Sequence, residues 1–338
     1  MHNKEQLFNI IDKFSDYKIL VVGDIILDEY IWGKAGRLSP EAPVPVLEVN
    51  KYTYILGGAA NVANNINKLG GRVYLAGVAG NDSQAEKLYE ILSENNVDGS
   101  CIVKDKNRPT TVKTRLITHN HHQLVRFDRE VKEDISEETR KELTEKISGL
   151  MESADLILLS DYAKGVLTPE FTGDIIKIAK SLGKPVLVDP KGLEYGKYSG
   201  ATLITPNRGE AESATKSPAG TLPEALAEKI KSMLEIDYVT VTLGEDGLLL
   251  YSDAISKQIP AVTSEVYDVT GAGDSFISGT ALAFLASGGD AEISVKIGNY
   301  AAGVAVRKIG TTAVTPKELK RITEMHLAEE ANVEPVSY

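Results

Sequence analysis

KILVVGD, residues Lys18 to Asp24, places four aliphatic side chains in succession between a lysine and a Gly-Asp pair. The run is too short for a helix and lacks the alternation of a half-exposed strand, so it reads as a strand buried on both faces. Similar runs recur at Val73 to Gly77, Asp155 to Ser160 (DLILLS), Pro185 to Asp189 (PVLVD), Ala201 to Thr205 and Tyr238 to Leu243. Between them, Ser83 to Asn95, Ser136 to Leu150, Pro169 to Leu182 and Pro223 to Leu234 space their apolar residues along one helix face. Buried strands joined by crossover helices predict an α/β fold on an open, mostly parallel sheet.

Two stretches break this rhythm. Glu29 to Leu56 and Thr110 to Asp128 are rich in Val, Tyr, Thr and Ile with polar residues alternating, and they predict a small antiparallel sheet. Both leave the main sheet near strand carboxyl ends, where open α/β sheets hold ligands, so the small sheet is placed to act as a lid. The apolar alternation in VPVLEV and ITHNHHQLV leaves a second face without a helix to cover it, and pairing with a second copy through the lid is expected. Residues 1–330 read as one domain carrying these lid segments, without internal repeat or linker, and the end of the chain, 331–338, as a loose tail starting near Leu327.

Composition narrows the function. The 338 residues carry 48 acidic and 37 basic side chains, a net charge of −11, which disfavours nucleic acid or an anionic membrane as partner. Cys101 is the single cysteine, excluding internal disulfides and cysteine zinc clusters and fitting a reduced compartment. The N-terminus MHNKEQLFNIIDKF interrupts its apolar positions with charges, unlike a signal peptide. No run approaches the ~18 apolar residues of a membrane span, and a cytoplasmic location is expected.

YDVTGAGDSF, Tyr267 to Phe276, precedes the strongly apolar ISGTALAFLASG, so Gly271, Ala272 and Gly273 fall at a helix N-terminus. Small residues there let a ligand approach unpaired N–H groups, and the helix dipole favours a phosphate or developing oxyanion. Asp274 follows in the first turn, where a base would take a proton from a hydroxyl attacking phosphorus. Simple capping by Asp274, with the glycines relieving a tight turn, accounts for the same residues. Neither GxxxxGK[ST] nor GxGxxG occurs at this turn, which disfavours a P-loop protein and a nicotinamide dehydrogenase.

Further polar clusters follow strand ends. Asp24 could accept two sugar hydroxyls, with Gly57, Gly58 and Asn61 opening a helix nearby, although a strand-end turn also explains Asp24. Asn207 and Glu210 in TPNRGE present oxygens one turn apart, suited to water-mediated Mg²⁺ near phosphates or to helix capping. Thr242, Gly244, Asn299 and Gly303 could wall a nucleotide site. Lys164 and Lys191, with Arg115 and Arg126 from the lid, are cations able to meet an anionic substrate, or ordinary surface charges. His119, His121 and His122 fit a solvated hairpin tip better than a metal site.

Taken in order, GD at the first strand end, GGAAN, NxxE and TGAGD resemble the ribokinase-like (PfkB) family of carbohydrate kinases over nearly the whole chain. The resemblance implies a Rossmann-like sheet with helices on both faces, a β-sheet lid, and use of ATP and Mg²⁺, with a monovalent cation such as K⁺ as an open addition. It implies that Asp274 is the catalytic base and Gly271 to Gly273 the anion hole. It also assigns Asp24, Gly58 and Asn61 to the sugar, and Asn207 with Glu210 to metal and phosphate. RLSPEAPVPV (Arg37 to Val46), SDYAKG (Ser160 to Gly165), DPKG (Asp189 to Gly192) and YDVTGAGD are similar to the branch that phosphorylates C1 of D-glycero-β-D-manno-heptose 7-phosphate on the way to ADP-heptose. Val269, where many sugar kinases have threonine, agrees with that branch. The chain ends too soon for the adenylyltransferase domain often fused to it, so a separate partner is expected for that step. A ribokinase, fructokinase or ketodeoxygluconate kinase would use the same machinery, and a sugar sensor without turnover would not need Asp274.

Overall fold

The computed structural model describes residues 3–262, 266–308 and 312–332, without the side chains of 329–332. Its strands are β1 (Lys18–Gly23), β2 (Ile25–Leu38), β3 (Pro45–Gly58), β4 (Arg72–Gly80), β5 (Asp98–Asp105), β6 (Thr111–Thr118), β7 (Gln123–Arg129), β8 (Leu156–Ser160), β9 (Val186–Asp189), β10 (Leu203–Ile204), β11 (Tyr238–Thr242), β12 (Leu248–Tyr251) and β13 (Ser256–Ile259). Nine form one sheet in the order β13-β12-β11-β10-β9-β8-β1-β4-β5, parallel from β11 to β5, with β12 and β13 antiparallel at the edge.

The aliphatic run in β1 is explained by two cores. Ile19 and Val21 point into the core under the helices Ala272–Ala286 and Ala291–Ala305, whereas Leu20 and Val22 point into the core under Glu137–Ser153 and Pro169–Ser181. All four are fully buried, so no alternation survives. The two helices of the first core pack closely through small residues: a Cβ at Gly298 would lie 2.1 Å from Thr280 Oγ1.

The second sheet runs β3-β2-β6-β7. The hairpins β2–β3 and β6–β7 are antiparallel, but β2 pairs β6 in parallel, which corrects the all-antiparallel expectation. The cause is topological. β2 continues β1 and β6 follows β5, and because β1 and β5 point the same way in the main sheet, their continuations run side by side in one direction. β5 and β13 carried too few uninterrupted apolar residues to be expected, three of the four residues of β13 being exposed, and the apolar run LLLY of β12 was passed over. The expected tail near Leu327 is also corrected, because the helix Pro316–Asn332 runs through it, while 333–338 lie outside the described residues. Among the described residues no helix is long and apolar enough to cross a membrane.

Candidate active site

The carboxyl ends of β8 to β11 and the start of the helix Ala272–Ala286 enclose a cavity of about 190 Å³. Gly271 caps that helix with φ 79°, a left-handed conformation in which a side chain would be strained. Gly271, Gly273 and Asp274 line the cavity, at the end of a helix whose first N–H groups have no intrahelical acceptor.

Asp274 is 5 % exposed and both its oxygens are engaged. Oδ1 accepts a hydrogen bond from the Tyr162 hydroxyl at 2.6 Å, and Oδ2 accepts one from Asn61 Nδ2 at 2.5 Å. Asn61 is held in turn, since Asn65 Nδ2 donates to its backbone oxygen at 2.9 Å and Ser275 Oγ donates to Asn65 Oδ1 at 3.0 Å. Burial pushes Asp274 from 3.8 up to about 6, the bonds from Tyr162 and Asn61 oppose that rise, and the charge of Asp28 adds to it. Burial also pushes the Tyr162 phenol well up, followed by the charges of Asp274 and Asp189, so Tyr162 stays a donor.

Asp24 departs from the expected sugar contact. Its Oδ2 accepts from the backbone N–H of Tyr162 (2.8 Å) and Lys164 (3.1 Å), and its Oδ1 from that of Val166 (3.1 Å). The carboxylate is 1 % exposed and organises the turn that presents Tyr162; burial first, then the charge of Asp161, pushes it to about 6. On the lid side, Asp28 on β2 is buried beside Gly57, where a Cβ would stand 2.5 Å from its Oδ2, and its charge reaches Asp274. Gly58 opens the helix Ala59–Lys68 with φ 57°, and a Cβ there would meet the Asp24 carbonyl at 2.3 Å.

Asn207 and Glu210 line the cavity and form a reciprocal capping box: Glu210 N–H donates to Asn207 Oδ1 at 3.0 Å and Asn207 N–H to Glu210 Oε2 at 2.9 Å. Lys191 Nζ donates to Glu210 Oε1 at 2.6 Å, and both line the cavity with Thr242. Asp189, at the end of β9, was not anticipated. Burial pushes its carboxyl well up, the negative charges of Asp274 and Glu210 add to this, and Lys191 opposes it. Gly244, Asn299 and Gly303 do not line the cavity: Asn299 Nδ2 donates to the Pro260 carbonyl at 2.8 Å, and Gly303 packs against Val262.

The other expected cations are paired. Arg115 Nη1 donates to Asp28 Oδ1 at 2.5 Å, with its guanidinium 5.2 Å from the Tyr30 ring centre. Lys164 Nζ lies 2.8 Å from Glu130, and Arg126 Nε lies 3.0 Å from Asp128. The histidines occupy the β6–β7 turn, His121 edge-on to Trp32, and among the described residues no group of three His, Cys, Asp or Glu could hold a metal ion. Tyr162, Asp28 and Asp189 were missed. The available signals were a tyrosine one residue beyond a strand-end Ser-Asp, an acidic pair inside an apolar strand, and the Asp-Pro after PVLV.

Residues 16–318 match the pfkB family carbohydrate kinases. The chain is 41% identical over 329 residues to the Bifunctional protein HldE of Desulfatibacillum aliphaticivorans, covering 96% of this chain and 66% of that protein. It is 44% identical over 308 residues to the protein of that name from Helicobacter pylori strain G27, covering 90% and 66%. The chain therefore spans about two thirds of the length of these relatives. Among solved structures, a ribokinase from Thermotoga maritima is similar with TM-score 0.72 at 22% identity, covering 91% of this chain and 99% of that one. Phosphofructokinase-2 from Escherichia coli in complex with potassium is similar with TM-score 0.75 at 22% identity, covering 92% and 99%. Both likenesses show a ribokinase-like α/β fold.

Proposed function

The chain belongs to the pfkB family of carbohydrate kinases and is an ATP-dependent sugar kinase, and from that premise we propose that it phosphorylates the anomeric C1 hydroxyl of D-glycero-β-D-manno-heptose 7-phosphate, giving the 1,7-bisphosphate for ADP-heptose synthesis. The observation that carries this reading is the position of SDYAKG, one of the segments similar to the heptose branch. It delivers Tyr162 to the Asp274 carboxylate and Lys164 to the lid.

In this mechanism Asp274 accepts the proton of the C1 hydroxyl as its oxygen forms a bond to the γ-phosphorus and the bond to the ADP oxygen breaks. Tyr162 and Asn61 fix the two carboxylate oxygens, and the helix start at Gly271 to Gly273 faces the charge spreading over the transferred phosphoryl group. Asp28 is placed to take sugar hydroxyls. The side-chain oxygens of Asn207, Glu210 and Asp189 fit Mg²⁺ held through water beside the nucleotide phosphates, where the ion would neutralise phosphate charge. Lys191 is placed for the same phosphates.

Phosphorus NMR of reactions with ATP, Mg²⁺ and a panel of sugars tests the assignment. Consumption of heptose 7-phosphate with a new anomeric phosphate signal and equimolar ADP is expected; faster turnover of unphosphorylated ribose or fructose would overturn it.

The outer lid face supports a dimer, because Val49, Tyr52, Val125 and Phe127 are 45, 56, 47 and 52 % exposed. Light scattering at micromolar concentration is expected to give twice the chain mass, and Phe127→Glu to shift it to the monomer. A fully active wild-type monomer would refute the pairing.

A further inference from the structure

Five charged side chains between the lid and the turn after β8 form one connected network. Lys113 Nζ lies 2.9 Å from Asp128 Oδ2 and 3.6 Å from Glu130 Oε2, Lys164 Nζ lies 2.8 Å from Glu130 Oε1, and Arg126 Nε lies 3.0 Å from Asp128 Oδ1. The side chains of Lys113, Lys164 and Glu130 are only 16, 12 and 14 % exposed. Three cations thus share two carboxylates, and Lys132, 3.7 Å from Glu130, adds a fourth positive charge from solvent. A local positive surplus, partly removed from water in a chain of net charge −11, calls for another anion.

We infer that Lys113, Arg126 and Lys164 form the subsite for a phosphate monoester already carried by the acceptor sugar, with Asp128 and Glu130 as its internal counterions. The inference rests on the phosphorylated-sugar reading above and locates that phosphate. Lys113 stands opposite Asp28 in the parallel β2–β6 pair, and Lys164 is two residues from Tyr162, so the network flanks the end of the site occupied by Asp28, Tyr162 and Asp274. A dianion there gains an arginine fork and two ammonium groups. It would also tie the lid, through Lys113 and Arg126, to the main sheet, through Lys164. Arg115 is excluded because Asp28 and the Tyr30 ring hold it, and Lys191 because it sits on Glu210 within the cavity at Gly271. The cations that the sequence grouped together therefore separate, and Lys113, which the sequence did not single out, becomes central.

Steady-state kinetics of Lys113→Met and Lys164→Met test this, with melting curves to confirm folding. Each variant is expected to raise KM for heptose 7-phosphate about tenfold or more while leaving KM for ATP within about twofold. Inhibition by inorganic phosphate, competitive with the sugar phosphate, should weaken in parallel. Glu130→Gln, which removes a competing carboxylate and keeps the shape, is expected to lower KM for the sugar phosphate, and it decides the matter if either methionine variant fails to fold. Wild-type KM in both folded lysine variants, or an unchanged or higher KM in Glu130→Gln, overturns the subsite while the substrate assignment stands. If the wild-type enzyme prefers sugars without phosphate, both fall together.

Discussion

Asp274→Asn is expected to lower kcat about 10²–10⁴-fold while ATP still binds, because the amide keeps the shape of the helix start but cannot accept a hydroxyl proton. The pH dependence supplies an independent check. With its carboxyl at about 6, Asp274 is the competent base only above that pH, so kcat/KM for the sugar should fall as pH drops through 6 and reach a plateau on the alkaline side. The residual activity of Asp274→Asn should lack this limb. Stability moves in the opposite sense. Between the ordinary carboxyl value of 3.8 and about 6 the folded state keeps a proton that the unfolded chain has lost, so stability from this group falls as pH rises through that window. Asp24, also raised to about 6, contributes with the same sign. If Asp274→Asn retains near wild-type kcat, the carboxylate is a helix cap and the proton-transfer role is wrong.

Lys197→Met is expected to destabilise the fold by about 3–5 kcal/mol, the range for breaking one side of a buried ion pair. Lys197 Nζ donates to Asp161 Oδ2 at 2.5 Å and to the Leu167 carbonyl at 2.9 Å, and the Asp161 side chain is 1 % exposed. Without the ammonium, that buried carboxylate keeps, among the described residues, the Tyr198 hydroxyl and the Ala163 N–H as donors and loses its countercharge. The turn from Asp161 to Val166 carries Tyr162, so kcat should fall as well. Adding Asp161→Asn to Lys197→Met removes the stranded charge and should recover part of the lost stability in urea titrations. Equal urea midpoints for Lys197→Met and wild type would show that the pair contributes nothing.

Signals that depend on one segment were legible in the sequence. The helix Pro223–Leu234 has the expected bounds, and TGAGD places Asp274 at a helix start beside two glycines. What a carboxylate does depends on what the rest of the chain brings to it, and there reading failed. Asp24 looked available for hydroxyls until a turn some 140 positions along supplied three amides to it. Asp28 was hidden inside a strand pattern, and only the fold brings its charge near enough to act on Asp274. Asn207 and Glu210 cap a helix, which is one of the two readings of their spacing, and they also line the cavity. Parallel pairing of β2 with β6 was illegible for the same reason: it is set by the directions of β1 and β5 rather than by residues in the lid.

The central place of β1 has a consequence for how the chain is made. β1 leaves the ribosome before every other strand of its sheet, yet its neighbours are β4 on one side and β8 on the other. Its first edge is covered once residues 72–80 emerge, but the second stays open until 156–160 have been translated, after the entire lid. A fully apolar strand with an unpaired edge is a template for pairing with another chain. At ribosomal speeds of about 5–20 residues per second the nascent protein carries that edge for several seconds or more. Protection of KILVV by a chaperone or by transient non-native contacts is therefore a demand that this topology places on the cell.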